Sequence, residues 1–329
     1  MIISRTPFRI SFFGGGTDYP VWYKEKGGMV LSTTINKYCY LTVRTLPPFF
    51  DYKYRIRYFN KEEVSSLDQI QHPSVREIIK YLNLSQGLEI VHYADLPARS
   101  GLGSSSTFSV GLLNALSALQ NSMTSKRELA MKAIHIEQEI LRENVGSQDQ
   151  TAAAFGGLNK ITFSKKNTIE VDPIIISEEK SRLLEESLLL CFTGFARTAS
   201  EIAGDQIKQI KSKYAELEEI NRLTEEAISI LCSRTAGLDQ FGFLLGEQWR
   251  VKKTLSQKIT NEEIDEIYNI GIKAGALGGK LLGAGSGGFI LFYAPKDRHE
   301  SIKLALSDKL FVPFRFESTG SKIVYFASD

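Results

Sequence analysis

The chain has 329 residues, enough for about two domains at roughly 150 residues each. Its 43% hydrophobic and 24% charged residues are ordinary for a globular protein and exclude a fibrous or largely disordered chain. The net charge of +2 supplies no global basic field, so a nucleic acid is not expected as a partner.

Periodicity predicts a mixture of strands and helices along the chain. In the first half, it predicts strands at 2–10, 30–46, 55–59 and 88–93, and helices at 73–82, 104–119 and 125–143. In the second half, it predicts a hairpin at 158–163 and 168–171, strands at 188–192, 289–293 and 322–326, and helices within 199–255, at 262–277 and at 298–310. Because there is no regular βαβ rhythm, the expected fold class is α+β. The charged stretch 178–186 predicts a boundary between a unit at 1–180 and a unit at 181–329.

Three features of the sequence predict a cytoplasmic protein with no membrane partner. Arg5 and Arg9 interrupt the stretch where a signal peptide would have its apolar core. The uncharged stretch 100–125 is broken by serines, glycines and amides, so it is not expected to span a membrane. The three cysteines lie far apart, which fits a reducing compartment and neither a disulfide framework nor a metal knuckle.

Glycines cluster at three places. The N-terminal glycine loop (residues 14–18) reads GGGTD, and the C-terminal glycine loop (residues 283–288) reads GAGSGG. The middle cluster (residues 101–106) reads GLGSSS and is called the phosphate loop for the reason given in the next paragraph. Glycine is costly inside helices and strands, so such clusters mark sharp turns or close backbone approaches.

The phosphate loop stands between a predicted strand and a predicted helix. A helix N-terminus has unpaired N–H groups and a partial positive charge, and Gly101 and Gly103 let an anion approach it. Ser104, Ser105 and Ser106 add hydroxyls, although one serine is also a common helix cap. The Gly-Lys-Ser/Thr ending of a Walker A loop is missing, so the pattern favours another type of phosphate cradle.

The C-terminal glycine loop matches the G-x-G-x-x-G dinucleotide fingerprint in letters alone. That fingerprint must follow a strand and open a helix, whereas here a helix is predicted before the loop and a strand after it. We therefore reject the dinucleotide-binding interpretation. A close approach to a ligand and tight helix–strand packing both remain open.

Three carboxylates are candidates for chemistry. Glu137 falls in the middle of an apolar helical stripe, where it needs either a salt-bridge partner or a metal such as Mg²⁺. Asp149, among small residues, could accept or orient a hydroxyl proton, or could simply cap a helix. Asp18 could form an Asx turn. The four histidines form no zinc motif and no G-x-S-x-G elbow is present, which disfavours metallohydrolase and serine hydrolase chemistry.

Three segments together resemble the motifs of the GHMP family of small-molecule kinases, which includes galactokinase, homoserine kinase, mevalonate kinase and phosphomevalonate kinase. They are PFRISFFGGGTD at 7–18, PARSGLGSSS at 97–106 and LGAGSGG at 282–288, and they span nearly the whole chain. The triple glycine resembles the D-glycero-D-manno-heptose 7-phosphate kinase branch, as do Asp149-Gln150, Thr193-Gly194 and the run GGKLLGAG at 278–285.

The resemblance implies a two-domain α+β fold, with an N-terminal domain like domain 2 of ribosomal protein S5 and a ferredoxin-like C-terminal domain. It implies a catalytic Asp149 with Arg9 nearby, and Mg²⁺ held by Ser105 and Glu137. It implies ATP phosphates wrapped by the second motif, that is, by Pro97, Arg99, Gly101, Leu102, Gly103, Ser104, Ser105 and Ser106. It implies a sugar bound by Asp18 in the loop formed with Gly14, Gly15, Gly16 and Thr17, while Gly285 and Gly287 let the third motif abut the phosphate loop near the substrate. Arg197 is a further candidate for a substrate phosphate, because arginine suits bidentate phosphate binding.

The function that follows is transfer of the ATP γ-phosphoryl group to the anomeric hydroxyl of a sugar or sugar phosphate, most closely D-glycero-D-manno-heptose 7-phosphate. Two alternatives stay open. The acceptor could be fucose, a uronic acid, galactose or mevalonate, or the chain could be a non-catalytic ATP and sugar sensor. Whether Asp149 acts as a base or only orients the hydroxyl also stays open, and no oligomeric state is predicted.

Overall fold

The computed structural model describes residues 1–194 and 199–327. Within that part the α-helices are α1 (Pro20–Lys26), α2 (Pro73–Tyr81), α3 (Ser104–Leu119), α4 (Lys126–His135), α5 (Gln148–Phe155), α6 (Glu178–Glu186), α7 (Ala199–Gln209), α8 (Tyr214–Cys232), α9 (Asp239–Thr254), α10 (Glu262–Lys273) and α11 (His299–Ala305). The strands are β1 (Ile2–Phe13), β2 (Gly28–Thr45), β3 (Tyr54–Arg57), β4 (Lys61–Val64), β5 (Leu88–Ala94), β6 (Asn159–Phe163), β7 (Ile169–Pro173), β8 (Leu188–Phe192), β9 (Gly278–Leu281), β10 (Phe289–Tyr293), β11 (Leu310–Phe311), β12 (Phe316–Glu317) and β13 (Lys322–Phe326). Short 3₁₀ turns lie at Leu67–Gln69, Ile210–Ser212 and Lys296–Arg298, and a π-helical turn lies at Ile136–Ile140.

The larger sheet is organised around the long strand β2. The strand order of this sheet is β13-β1-β2-β5-β3-β4. In addition, β6 and β12 pair with β2, and β7 pairs with β6. At 18 residues, β2 is long enough to pair with β6 through its first residues and with β5 through its last. The helix α3 packs against β1 and β2, which fixes the helix N-terminus beside the middle of β1.

The smaller sheet has the order β11-β8-β10-β9, with every neighbouring pair antiparallel. Helices α7 to α10 connect β8 to β9, and α11 connects β10 to β11. This βαββαβ sequence with strand order 4-1-3-2 is the ferredoxin-like arrangement, which confirms that prediction. The mixed helices and sheets likewise confirm the α+β fold class.

The end of the chain returns to the larger sheet. Strand β13 pairs antiparallel with β1, with Ile2 opposite Phe326, and β12 pairs with β2. The last strands of the predicted 181–329 unit therefore complete the sheet of the 1–180 unit. The division at residue 180 stays a prediction. If it holds, the second unit contributes the strands β12 and β13 to the sheet of the first unit.

Several predicted boundaries differ from the structure for local reasons. The stretch 178–186, predicted as a boundary, is the helix α6, whose N-terminus is capped by the Ser177 hydroxyl. The helix predicted at 262–277 ends at Lys273, and residues 278–281 form the strand β9. Cβ atoms at Gly278 and Gly279 would lie within 3.0 Å of backbone of α9 and β10, so glycine permits this packing. No helix of the described residues is both long and apolar enough to cross a membrane.

Candidate active site

A cleft of about 340 Å³ opens between the two sheets. Its walls come from the N-terminal glycine loop, the phosphate loop, the start of α5, and the elements α9 and β9 of the ferredoxin-like part. Among the side chains that line it are Arg9, Asp18, Asp149, Lys252 and Lys280. The cleft therefore gathers ionisable groups that lie up to 271 residues apart in the sequence, from Arg9 to Lys280.

The phosphate loop turns directly into the N-terminus of α3. Gly103 occupies the N-cap position with φ +78°, and Gly101 has φ +80°, both in the left-handed region that favours glycine. The Ser104 hydroxyl accepts a hydrogen bond from the Arg99 backbone N–H at 3.0 Å, which closes the turn. The first N–H groups of a 16-residue helix thus point toward the cleft with little side chain in front of them.

Arg9 and Asp149 form a bidentate ion pair in the cleft. Arg9 Nε donates to Asp149 Oδ1 at 2.7 Å, and Arg9 Nη2 donates to Oδ2 at 2.9 Å. Arg9 Nη1 also donates to the Gly101 carbonyl at 2.7 Å, so one guanidinium holds both the carboxylate and the phosphate loop. A Cβ at Gly103 would lie 3.4 Å from Asp149 Oδ2. Asp149 therefore lies beside the start of α3.

Asp18, the last residue of the N-terminal glycine loop, is buried and faces the start of α5. Its carboxylate accepts from the Gly16 N–H at 3.0 Å and from the Gln148 N–H at 3.4 Å. Burial, followed by the charge of Asp149, raises the pKa of Asp18 above its usual value. A Cβ at Gly146 would lie 1.8 Å from Asp18 Oδ2, so only glycine lets α5 start so close to this acid.

Glu137 is fully buried on the π-helical turn that follows α4. Its Oε2 accepts hydrogen bonds from the Ser106 hydroxyl at 2.7 Å and from the Gln150 side chain, while Oε1 has no hydrogen-bond partner. Burial raises the pKa of Glu137 to about 7, although hydrogen bonds from neighbouring side chains oppose the shift. The observed partners of this carboxylate are hydroxyl and amide groups, so a salt bridge does not explain its burial.

The C-terminal glycine loop joins β9 to β10 and packs on the phosphate loop. A Cβ at Gly283 would lie 2.5 Å from Gly101 Cα, and one at Gly288 would lie 2.3 Å from the Ser100 carbonyl oxygen. A Cβ at Gly285 would instead lie 2.7 Å from Ile259. The loop does follow a strand, contrary to the sequence-based expectation. A strand and not a helix comes next, so the dinucleotide fingerprint is still rejected.

Two buried lysines complete the cleft. Lys252 Nζ donates to the Leu281 carbonyl at 3.4 Å and to the Gly283 carbonyl, while Lys280 Nζ donates to the carbonyls of Ser11 at 2.9 Å and Phe12 at 2.8 Å. Burial lowers the pKa of Lys252 to about 8, and it lowers the pKa of Lys280 well below its usual value.

The family of the chain follows from comparison with known proteins. The model of the GHMP kinases N-terminal domain matches residues 72–157, and the GHMP kinases C-terminal model matches residues 233–311. A D-glycero-alpha-D-manno-heptose 7-phosphate kinase of Campylobacter jejuni is 31% identical, with 98% of each chain covered. The chain belongs to the GHMP kinase family. It is therefore a kinase, as the sequence motifs predict.

Two further relatives extend this comparison. The crystal structure of a D-glycero-D-manno-heptose 1-phosphate kinase from Bacteroides thetaiotaomicron superposes with a TM-score of 0.81 at 26% identity, covering all of both chains. A bifunctional fucokinase/GDP-fucose pyrophosphorylase of Arabidopsis thaliana is 28% identical over 91% of this chain, which spans only 30% of that protein.

The structure of this GHMP kinase places most of the predicted site residues either on the cleft or in the loops that build it. Those that line the cleft are Arg9, Gly15, Gly16, Asp18, Arg99, Gly101, Gly103, Ser104, Ser105, Ser106 and Asp149. Gly14, Thr17 and Leu102 instead build the loops: Thr17 donates to the carbonyls of Gly14 and Met29, and the Leu102 carbonyl accepts from the Arg9 N–H. Pro97 is exposed ahead of the phosphate loop. Arg197 lies outside the described residues.

The structure adds one contact that was not predicted and corrects another that was. Ser106 is the hydroxyl that reaches Glu137, whereas Ser105 is exposed at the cleft; Ser105 stays a predicted Mg²⁺ ligand. The glycines that abut the phosphate loop are Gly283 and Gly288, because Gly285 packs on Ile259. A role for Gly287 stays a prediction.

Lys252 and Lys280 line the cleft of this kinase, and the sequence-based reasoning missed both. Each had a usable signal. Lys252 continues the apolar stripe formed by Phe241, Leu245 and Trp249 on α9. Lys280 interrupts an uncharged run between Gly279 and the C-terminal glycine loop.

Proposed function

We propose that this kinase transfers the γ-phosphoryl group of ATP to the anomeric hydroxyl of D-glycero-D-manno-heptose 7-phosphate, giving the 1,7-bisphosphate. The observation that carries the proposal is the Arg9–Asp149 ion pair set beside the N-terminus of α3. In the reaction, the bond from the γ-phosphorus to the β–γ bridging oxygen breaks, and a bond from the sugar oxygen to that phosphorus forms. The hydroxyl proton leaves through Asp149, and ADP departs with the bridging oxygen.

The phosphate loop is the proposed site of the ATP phosphates. Its backbone N–H groups lie at a helix N-terminus, where the helix dipole favours anions. Gly101 and Gly103 adopt the left-handed backbone conformation that turns the loop into the helix, and the Ser104 and Ser105 hydroxyls add donors at the same wall of the cleft. This arrangement explains how a chain with a net charge of only +2 can bind a polyanion.

The acceptor hydroxyl is proposed to lie against Asp149. Arg9 occupies one direction at each carboxylate oxygen, which leaves other lone pairs free to accept a hydrogen bond. An anomeric hydroxyl is more acidic than an ordinary alcohol because the ring oxygen withdraws electrons, so a weak acceptor suffices. Asp18 and the backbone of Gly15 and Gly16, which line the cleft, are the proposed sugar-binding groups on the adjacent wall.

The buried acid Glu137 fits a role at a magnesium ion that accompanies ATP. Its unpartnered Oε1 and the neighbouring serine hydroxyls are oxygen donors, which Mg²⁺ prefers. The described residues hold no group of three or more His, Cys, Asp or Glu side chains suited to a metal. A single protein carboxylate fits an ion whose remaining ligands are phosphates and water, and such an ion neutralises phosphate charge.

Replacing Glu137 tests this assignment. We expect Glu137→Gln to raise the Mg²⁺ concentration needed for half-maximal activity about tenfold or more, since a neutral amide is a poorer ligand or supporting group than a carboxylate. Binding of Mn²⁺ to the protein with a non-hydrolysable ATP analogue, followed by electron paramagnetic resonance, should weaken in parallel. Glu139→Gln, on the exposed side of the same turn, is the matched control. An unchanged metal requirement in Glu137→Gln would make the acid a purely structural group.

The choice of heptose 7-phosphate rests on the Campylobacter relative, because none of the described cleft residues reads the configuration of a sugar by itself. The experiment is an ADP-release assay with ATP and Mg²⁺. The acceptors compared are heptose 7-phosphate, its methyl glycoside blocked at the anomeric oxygen, heptose 1-phosphate, free heptose, L-fucose and galactose. Heptose 7-phosphate should give the largest kcat/KM, the methyl glycoside should be inert, and phosphorus NMR of the product should show a new anomeric phosphate.

The other outcomes each contradict a part of the proposal. A preference for L-fucose would move the acceptor to the type named by the Arabidopsis relative. Turnover of the methyl glycoside would place the new phosphate on another hydroxyl. No ADP release with any acceptor, together with intact ATP binding, would favour the sensor alternative.

A further inference from the structure

Lys252 is a cation of the cleft that the proposed reaction does not yet use. It reaches the cleft from α9, in the ferredoxin-like part, whereas Arg9, Asp149 and the phosphate loop all come from the other part. Its side chain is only 4% exposed. A lysine so deeply buried needs a compensating interaction, since desolvating an ammonium group is costly.

The known partners of the Lys252 ammonium leave one donor available. Its three N–H bonds face two protein acceptors, the carbonyls of Leu281 and Gly283. Gly283 is the residue whose backbone packs on Gly101 of the phosphate loop. The ammonium thus lies where the phosphate loop packs on the C-terminal glycine loop, next to the proposed site of the ATP phosphates.

Four ionisable groups of the cleft interact electrostatically with Lys252. Asp18 and Asp149 favour its charged form, and Arg9 disfavours it. Lys280, the other buried lysine, lies close enough that the charge of Lys252 lowers its pKa further. Both hydrogen-bond partners of the ammonium are carbonyls, so no carboxylate of the described residues pairs with it directly. An anionic phosphoryl group entering this cleft would supply such a partner.

We propose that Lys252 is a catalytic residue of this kinase that contacts the phosphoryl group being transferred and stabilises its charge as the β–γ bond breaks. Electrostatic stabilisation by a fixed donor is effective here because the group is already desolvated and oriented by two backbone carbonyls. The inference rests on the proposed function, since it assumes that ATP phosphates lie along the phosphate loop. It assigns the ferredoxin-like part a direct share in the chemistry.

The first test compares two nucleotides. We expect Lys252→Met to lower kcat by about 100-fold, as removal of one preorganised donor does elsewhere. The variant should bind a non-hydrolysable ATP analogue more weakly than the wild type does, yet bind ADP equally well, because only the analogue carries the γ-phosphoryl group. Calorimetric titration measures both affinities without turnover. An equal loss for ADP and the analogue would instead assign Lys252 a structural role.

The second test is the pH profile of kcat/KM, which reports the free enzyme. Lys252 acts in its charged form, so kcat/KM should fall as pH rises through the pKa of about 8 that burial gives this lysine. Lys252→Arg keeps its charge to much higher pH, so it should move this alkaline limb upward and recover part of the activity lost in Lys252→Met. An alkaline limb that stays in place in Lys252→Arg would overturn the proposal.

Lys253→Met is the matched control on the same helix. Lys253 pairs with Asp265 outside the cleft, so its replacement should leave kcat, both affinities and the pH profile unchanged. If wild type and Lys253→Met both transfer phosphate while Lys252→Met has normal kcat, only the role of Lys252 fails. If none of the three transfers phosphate to any acceptor, the proposed function itself fails.

Discussion

Asp149→Asn is expected to lower kcat by about 1,000-fold, within the range for a positioned proton acceptor, while nucleotide binding stays intact. The amide has nearly the same shape as the carboxylate, so Arg9 can keep a hydrogen bond to the remaining oxygen. It cannot take the hydroxyl proton, and it presents an NH₂ group where the hydroxyl needs an acceptor. The loss should therefore appear in kcat, measured by ADP release at saturating ATP and acceptor.

The control for this variant is Asp172→Asn, an exposed acid on β7 that should behave as wild type. Calorimetric titration with ADP and a thermal melt would show that the Asp149 variant is folded and still binds nucleotide. Near-normal turnover in Asp149→Asn would remove Asp149 from the chemistry. The carboxylate would then be an anchor for Arg9, whose third contact is the Gly101 carbonyl.

The sequence predicted the parts of the fold that depend on local pattern. The helix α3 has the predicted bounds, and so do the strands β8, β10 and β13. The helix α5, in contrast, was missed, because its small residues give no apolar stripe of helical period. The strand β9 was missed because two of its four residues are glycines, which a strand tolerates only where another backbone approaches.

The candidate site shows the same division. Glu137 was singled out because a carboxylate interrupts an apolar stripe, and the structure buries it fully. Applied to α9, the same reasoning would have found Lys252. Which serine reaches Glu137 and which glycine meets the phosphate loop were beyond such reasoning. A one-residue step around a helix or along a loop changes the direction of a side chain by about 100° or more, and only tertiary packing fixes that direction.

Gly101→Ala should disturb both the packing of the phosphate loop on the C-terminal glycine loop and the position of Arg9, because Gly101 contacts both. Its Cβ would lie 2.5 Å from the Leu282 carbonyl oxygen and 2.9 Å from the carbonyl carbon, which are backbone atoms that no rotamer change can move aside. The φ of +80° adds strain for any side chain. The phosphate loop must therefore move away from the C-terminal glycine loop, which also moves the Gly101 carbonyl away from Arg9 Nη1. We expect kcat/KM to fall by about 100-fold, the size of effect that a displacement near 1 Å can produce.

Two companion variants separate this mechanism from general destabilisation. Gly237→Ala, at an exposed glycine whose Cβ would meet nothing within 4 Å, should retain wild-type kcat/KM and thermal stability. Gly283→Ala puts a Cβ 2.5 Å from Gly101 Cα, so it should push the same two loops, the phosphate loop and the C-terminal glycine loop, apart. Because one separation of the loops relieves both clashes, the double variant should lose much less than the product of the two single losses. Strictly multiplicative losses would mean that the two glycines act independently. The contact between Gly101 and Gly283 would then not be what keeps the phosphate loop in place beside Arg9 and Asp149.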